Sequence, residues 1–242
     1  MKSFAIAALA AVSTAKVLSQ EYSNFVGFIA KHGKAYATLE EYNLRYDIYM
    51  KLDAEIRHLN ITEKSSRHGH NFLSDFTREE YTARLGLKGM KLPKKSENVF
   101  QVTGELNLAA SVDWRTVTPA VVNPVKDQGQ CGSCWAFAST AVMESSHAIF
   151  EGVLLSLSEQ QLVSCSFLFG NLGCNGGWYY DAWKYALTKP LETEANYPYT
   201  SGTTMKAGSC AYVSSKGVVA TIGQTSVATD TNSIMVAISQ QP

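Results

Sequence analysis

The sequence predicts a mainly helical α+β protein in two segments, and three observations lead to that reading. Cap residues precede runs of helical period at several places. A β-branched run follows Gly217, where a strand is expected. Composition also changes abruptly: residues 20 to 107 contain no cysteine, whereas the chain beyond about 108 is rich in Cys, Gly and aromatics. With 45% hydrophobic and 17% charged residues, the 242-residue chain can fill one or two globular cores and is neither disordered nor collagen-like. Its 21 basic residues balance 21 acidic ones, so no net field favours nucleic acid or an anionic membrane.

The N-terminus reads as a signal peptide over residues 1–19. Lys2 precedes an uncharged apolar run from Phe4 to Ala15, followed by small and polar residues. A bilayer span needs about twenty apolar residues, so removal is favoured over an uncleaved anchor. Export places the five cysteines, Cys131, Cys134, Cys165, Cys174 and Cys210, in an oxidising compartment. The odd count leaves one thiol free or paired between chains.

In the first segment an amphipathic stretch from Tyr22 to Ala30 precedes a longer helix. Thr38 and Glu41 form a capping box at its head, and the run ends near Asn60. Leu44, Ile48, Leu52, Ile56 and Leu59 recur at helical spacing and predict one apolar face. Lys88 to Gly104, with Pro93 among lysines, reads as an exposed linker open to proteolysis. In the second segment Ser133 is expected to cap a helix from Cys134 towards Gly152. Ser158 and Gln161 form another capping box before a helix reaching Cys165. A third helix is expected from about Trp178 to Leu187, a strand over Val218, Val219, Thr221 and Ile222, and a last helix over Asn232 to Gln240.

Cys134 stands where chemistry is expected. At the first turn of a helix, unpaired backbone N–H groups and the dipole favour a thiolate, the nucleophilic form of cysteine. Gly129 and Gly132 beside it would let another backbone come close. A bare CxxC would equally suit a redox pair or half a zinc site. The whole run Gln128-Gly129-Gln130-Cys131-Gly132-Ser133-Cys134-Trp135-Ala136-Phe137, however, resembles the nucleophile segment of the papain-like, cathepsin L-like cysteine proteases. Val112 to Arg115, Leu157 to Cys165, Gly173 to Gly177 and Tyr197-Pro198-Tyr199 resemble further marks of that family. Upstream, Glu41, Arg45, Tyr49, Ile56 and Asn60 fall at the spacing of its inhibitory prosegment helix. Gly69, Asn71, Leu73 and Asp75 resemble the second prosegment motif. Leu52 and Leu73 depart from the usual Asn and Phe.

The resemblance implies a papain-like fold, mainly its helical N-terminal lobe, behind a helical inhibitory prosegment at 20–107, with residues 108–242 as the first part of the peptidase domain and the β-rich lobe missing. It implies Cys134 as nucleophile and Gln128, with the backbone N–H of Cys134, as oxyanion donor. Gly132, Trp135, Gly176, Gly177, Trp178 and Tyr179 would bind substrate. The implied disulfides join Cys131 with Cys174 and Cys165 with Cys210, leaving Cys134 free. No metal or organic cofactor is implied. The implied partners are peptide or protein substrates, the chain's own prosegment and cystatin-like inhibitors, in a lysosome, vacuole or extracellular setting.

The family's general-base histidine lies roughly 130 to 150 residues beyond the nucleophile. The histidines of this sequence are His32, His58, His68, His70 and His147, and the sequence stops at Pro242, short of that distance from Cys134. It therefore predicts a truncated protease precursor that does not hydrolyse peptides alone. Two other classes stay open: a prosegment-type inhibitor of related proteases, and a catalytically dead structural domain. Asn60-Ile61-Thr62 is a glycosylation sequon.

Overall fold

The computed structural model describes residues 19–86, 98–104 and 107–242. The expected signal sequence, apart from Ser19, and the first part of the expected linker lie outside these residues. The chain divides after Thr77 into two compact units, so the cut falls inside the segment expected to be one prosegment.

In the first unit, α1 (Gln20–His32) and α2 (Leu39–Thr62) form the expected helical hairpin. Ser19 Oγ accepts from the Tyr22 amide, and Gly33, at φ +59°, ends α1 in the left-handed conformation. Thr38 Oγ1 accepts from the Glu41 amide at 3.1 Å, while Glu41 Oε2 reaches back to accept from the amide of Ala37 at 2.9 Å, one residue outside the usual box.

The fully buried residue of α2 is Tyr49, which is outside the predicted aliphatic stripe; Ile48, Leu52, Ile56 and Leu59 of that stripe are half-buried. Leu44 is half exposed, whereas Tyr49 is buried with Phe25 and Phe28, and Tyr42 and Tyr46 pack against them. The reason is ring–ring complementarity, which favours edge-on contacts between aromatic side chains. Phe25 meets Tyr42 edge-on at a centroid distance of 5.4 Å. It meets Tyr46 in the same way at 5.3 Å. Asp75 closes the unit, accepting from Lys34 Nζ at 2.7 Å and the Tyr36 hydroxyl at 2.8 Å. Asn60 uses both ends of its amide on the backbone of His68, at 2.9 and 2.8 Å, so the sequon asparagine serves as a loop clamp.

The second unit opens with α3 (Arg78–Arg84) and strand β1 (Val99–Phe100), which pairs in parallel with β2 (Ser226–Val227). Part of the expected linker is thus held in a sheet: Phe100 O accepts from Ala228 N at 2.9 Å, and Val102 N donates to Ser233 Oγ at 3.0 Å. The core lies among α4 (Cys134–Glu151), α5 (Glu159–Cys165) and α6 (Tyr179–Thr188), with Leu157, Leu162 and Leu191 fully buried. Burying each such leucine contributes about 1.5–3 kcal/mol. Gly152, at φ +74°, stops α4 as expected. Ser158 Oγ caps α5 by accepting from the Gln161 amide at 3.0 Å. The Gln161 side chain does not complete the box; it spans to the Tyr185 hydroxyl at 3.1 Å and the Glu192 amide at 2.7 Å. Short α7 (Ser201–Thr204) and α8 (Thr231–Gln240) follow, the latter close to its predicted range.

The strand expected after Gly217 does not form. Only Val219 bridges, to Leu191, and the chain then turns to α6, where Thr221 Oγ1 donates to Trp183 O at 2.8 Å. A β-branched run without a ladder partner stays irregular.

An ion triad joins α4 and α5 through a half-buried lysine and two buried carboxylates. Lys126 Nζ meets Glu144 Oε1 and Glu159 Oε1, each at 2.7 Å, and both carboxylates are at most 3% exposed. Thr140, Asn123 and the Leu157 amide donate to the same carboxylates. Burial by itself would lower the lysine pKa, but the two carboxylates together raise it.

Candidate active site

The loop preceding α4 is pinned at both ends. The Cys131–Cys174 disulfide joins it to the Gly173–Asn175 turn, and Gly132 N donates to Cys174 O at 3.0 Å. A Cβ on Gly132 would collide with that carbonyl, so only glycine lets the two strands approach. Cys165 is bonded to Cys210, the second pairing the resemblance implied. Cys134 remains a free, exposed thiol at the first residue of α4.

Ser133 does not cap α4 with its side chain. Its Oγ instead lies 2.7 Å from the Tyr199 hydroxyl, and its carbonyl takes the Ala136 amide at 2.8 Å. Gln128 Nε2 donates to Cys131 O at 2.8 Å and to the carbonyl of Arg84, in α3, at 2.9 Å. Beyond Arg84, the backbone at Gly86 runs between Gly132 and Gly176: a Cβ there would stand 3.2 Å from Gly132 O and Gly176 Cα, and 3.8 Å from Cys134 Sγ. Arg84 is held by Asp127 at 2.9 Å, and the same Asp127 oxygen takes the Gly129 amide. A stretch of peptide backbone therefore passes beside the thiol, with the Arg84 carbonyl on the Gln128 amide. Sequence reasoning did not foresee that Arg84 and Gly86 would occupy this place.

The expected substrate residues divide by position. Gly176, at φ +121°, adopts a backbone that favours glycine, and its carbonyl accepts from Leu172 N at 2.8 Å. Gly177 packs face-on to the Trp135 indole, where a Cβ would come within 2.5 Å of Trp135 Cε2 and Asn171 Oδ1. Trp135 is itself only 4% exposed and donates from Nε1 to Gly173 O at 3.2 Å, so it forms the floor under the glycines and not a face of the groove. Trp178 stacks on Tyr180, and Tyr179, 44% exposed, leans on Trp183. Burial, with Asp181 beside it, pushes the Tyr180 phenol up to about 12.

Two residues without an assigned role prove central to the loop geometry. Asn171, buried, accepts from Trp178 N at 2.8 Å and donates to Ser166 Oγ at 2.9 Å, which holds the glycine loop. Tyr199 was visible in the Tyr-Pro-Tyr triplet; Asn171 carried no sequence signal. His147 lies on α4, more than three turns along the helix from Cys134 and so far from its thiol. His68 and His70 are engaged within the first unit, by Glu63 at 2.9 Å and Asp53 at 3.0 Å.

A free thiol at a helix start, a side-chain amide holding a carbonyl beside it, and a disulfide-pinned glycine edge come together as one candidate thiol site. Comparison with known families agrees: residues 108–242 match the papain family cysteine protease model, and residues 25–81 match the cathepsin propeptide inhibitor domain. The chain belongs to the papain family of cysteine proteases. It is similar to the probable cysteine protease RD19B of Arabidopsis thaliana, at 41% identity over 88% of this chain and 59% of that protein. It is similar too to digestive cysteine proteinase 2 of Homarus americanus, at 39% identity over 83% of this chain and 62% of that protein. It thus spans roughly three fifths of these relatives' lengths. Among solved structures, digestive procathepsin L 3 of Tenebrio molitor larval midgut superimposes with a TM-score of 0.75 at 32% identity, covering 92% of this chain and 71% of that one.

Proposed function

We propose that this chain carries the nucleophile side of a cysteine endopeptidase zymogen: Cys134 would attack a peptide carbonyl, the Gln128 amide with the Cys134 N–H would receive the developing oxyanion, and a thioester would form as the C–N bond breaks and the nitrogen leaves as an amine, its proton supplied by the acid–base partner that this chemistry requires. The observation that carries this reading is the Arg84 carbonyl on Gln128 Nε2, with the Gly86 backbone beside the thiol: the donor proposed for the oxyanion holds a peptide carbonyl of the chain itself. Gly132, Gly176 and Gly177 would line the extended substrate, Trp178 and Tyr179 would wall a side-chain pocket, and Trp135 would support them from beneath. Residues 1–19 act as signal, 20–107 as inhibitory prosegment and 108–242 as peptidase segment. The two disulfides suit the secretory pathway, lysosome or vacuole, or extracellular space. Among the described residues no helix is long and apolar enough to cross a membrane. Cystatin-like inhibitors would compete for the same groove.

Thioester chemistry needs a base beside the thiol, and the second unit carries no histidine except His147. The chain as given is therefore expected to bind peptide without turning it over. An epoxysuccinyl peptide incubated with the recombinant chain should label Cys134, and a Phe-Arg fluorogenic peptide should stay intact. Turnover that disappears in Cys134→Ala would overturn the second half of the proposal; labelling at another residue would overturn the first.

A second reading rests on the match of residues 25–81 to a propeptide inhibitor domain and on the separate aromatic core of the first unit. Under it, the N-terminal part inhibits related proteases in trans. Residues 20–107 should then inhibit a papain-like enzyme at nanomolar concentration, and absence of inhibition would remove this alternative.

A further inference from the structure

We propose that Tyr199 is a positioning residue that sets the spacing between the two oxyanion donors, Gln128 and the backbone N–H of Cys134; the inference rests on the reaction proposed above. Its hydroxyl donates to the Gln128 carbonyl at 2.8 Å and lies 2.7 Å from Ser133 Oγ. A phenol carries one proton, so with that proton on Gln128 the Ser133 hydroxyl is the donor and Tyr199 the acceptor. One oxygen therefore bridges the residue that bears the amide donor and the residue immediately before the nucleophile. Gln128 Nε2 donates in turn to Cys131 O at 2.8 Å, closing the loop upon itself. Ser133 is fully buried and Tyr199 half-buried, so the serine end of the bridge is shielded from water.

Tyr199 is itself well braced. Its amide donates to Glu194 Oε1 at 2.7 Å, and its ring meets Phe137 of α4 edge-on at 5.0 Å. The adjoining α7 turn supports the same loop: Gln130 N donates to Gly202 O at 2.7 Å, and Gly129, at φ +58°, sits where a Cβ would come within 2.6 Å of Gly202. The tyrosine is thus tied to the rigid helix on one side and to the donor loop on the other. Since losing one preorganised oxyanion donor typically costs about 10²- to 10³-fold in rate, a residue that aims such a donor acts on the chemistry without touching substrate.

The test uses the full chain labelled with nitrogen-15. Tyr199→Phe keeps the ring on Phe137 and deletes the bridging oxygen. The Gln128 side-chain amide, identified by its disappearance in Gln128→Glu, should exchange with solvent about 5- to 10-fold faster in Tyr199→Phe, because the loop that aims it loses one part-buried hydrogen bond at the Gln128 carbonyl. Backbone amides of α4 should keep their wild-type rates. Ser133→Ala, which removes one partner of the hydroxyl, should accelerate the same resonance less, and it carries the test alone should Tyr199→Phe fail to fold. Gln128 exchange within about twofold of wild type in both variants overturns the proposal. Uniform acceleration along α4 with a lowered melting temperature overturns it too, because a merely structural tyrosine would behave that way. Labelling of Cys134 by the epoxysuccinyl peptide is read separately, so failure of the catalytic reading and failure of this one are distinguishable.

Discussion

Lys126→Met tests the ion triad that joins α4 and α5. In the wild type, Lys126 Nζ sits 2.7 Å from both Glu144 Oε1 and Glu159 Oε1, whose side chains are 3% and 1% exposed. Removing the cation leaves two carboxylates sealed from water, and breaking a buried pair in this way costs about 3–5 kcal/mol. Each carboxylate keeps neutral donors, Thr140 on Glu159 and Asn123 with the Leu157 amide on Glu144. The lower end of that range, about 3 kcal/mol, is therefore expected. For a chain of this size that corresponds to a melting temperature lower by about 6–12 °C, measurable by calorimetry at pH 7. Adding Glu159→Gln to Lys126→Met should recover part of the loss, because one uncompensated charge disappears with it. The sign with pH also follows. The folded lysine pKa is raised, so the contribution of Lys126 is complete below its ordinary value of 10.5 and fades as pH rises through the folded value. The gap between wild type and Lys126→Met should therefore be flat through neutrality and close in strong alkali. A single variant within about 1 kcal/mol of wild type at pH 7, or a double variant less stable than the single, would refute the argument.

Two further outcomes are expected. Cys165 and Cys210 are separated by 45 residues. Replacing both with serine should cost about 4 kcal/mol by loop entropy, read as a lower denaturation midpoint; an unchanged midpoint would contradict it. Burial pushes the Tyr185 phenol up to about 12, only partly offset by its hydrogen bond from Gln161. A raised folded pKa means that this stability is intact below the ordinary value of 10.0 and is lost as pH rises towards about 12. Tyr185→Phe should therefore soften the alkaline destabilisation, as followed by phenolate absorbance and circular dichroism. A slope equal to that of wild type would show that another group is responsible.

Much of this molecule can be read locally. Thr38, Ser158 and the C-terminal Gly152 announce their helices because a cap involves groups three or four residues apart. Ser133 reads as a cap by the same logic, yet its hydroxyl finds Tyr199, 66 residues away, in preference to its own helix. The aliphatic stripe of α2 is only half-buried for a related reason. Periodicity shows that a face exists, but the rings of Phe25 and Phe28 make Tyr49 the most buried residue of the helix.

The sequence by itself determined the helix starts, the two-segment composition, the placement of Cys134 at the head of a helix and the family resemblance around it. All of these depend on near neighbours or on residue identity alone. Tertiary structure decided that the Arg84 carbonyl meets Gln128 and Gly86 passes beside the thiol, that Asn171 holds the glycine edge, that Trp135 lies beneath it, and that Val218 to Ile222 form no strand. These features join residues well separated along the chain, as Arg84 and Gln128 are, or depend on a pairing partner being present. No local pattern encodes such contacts; they exist only once the loops have been brought together by packing and by the two disulfides.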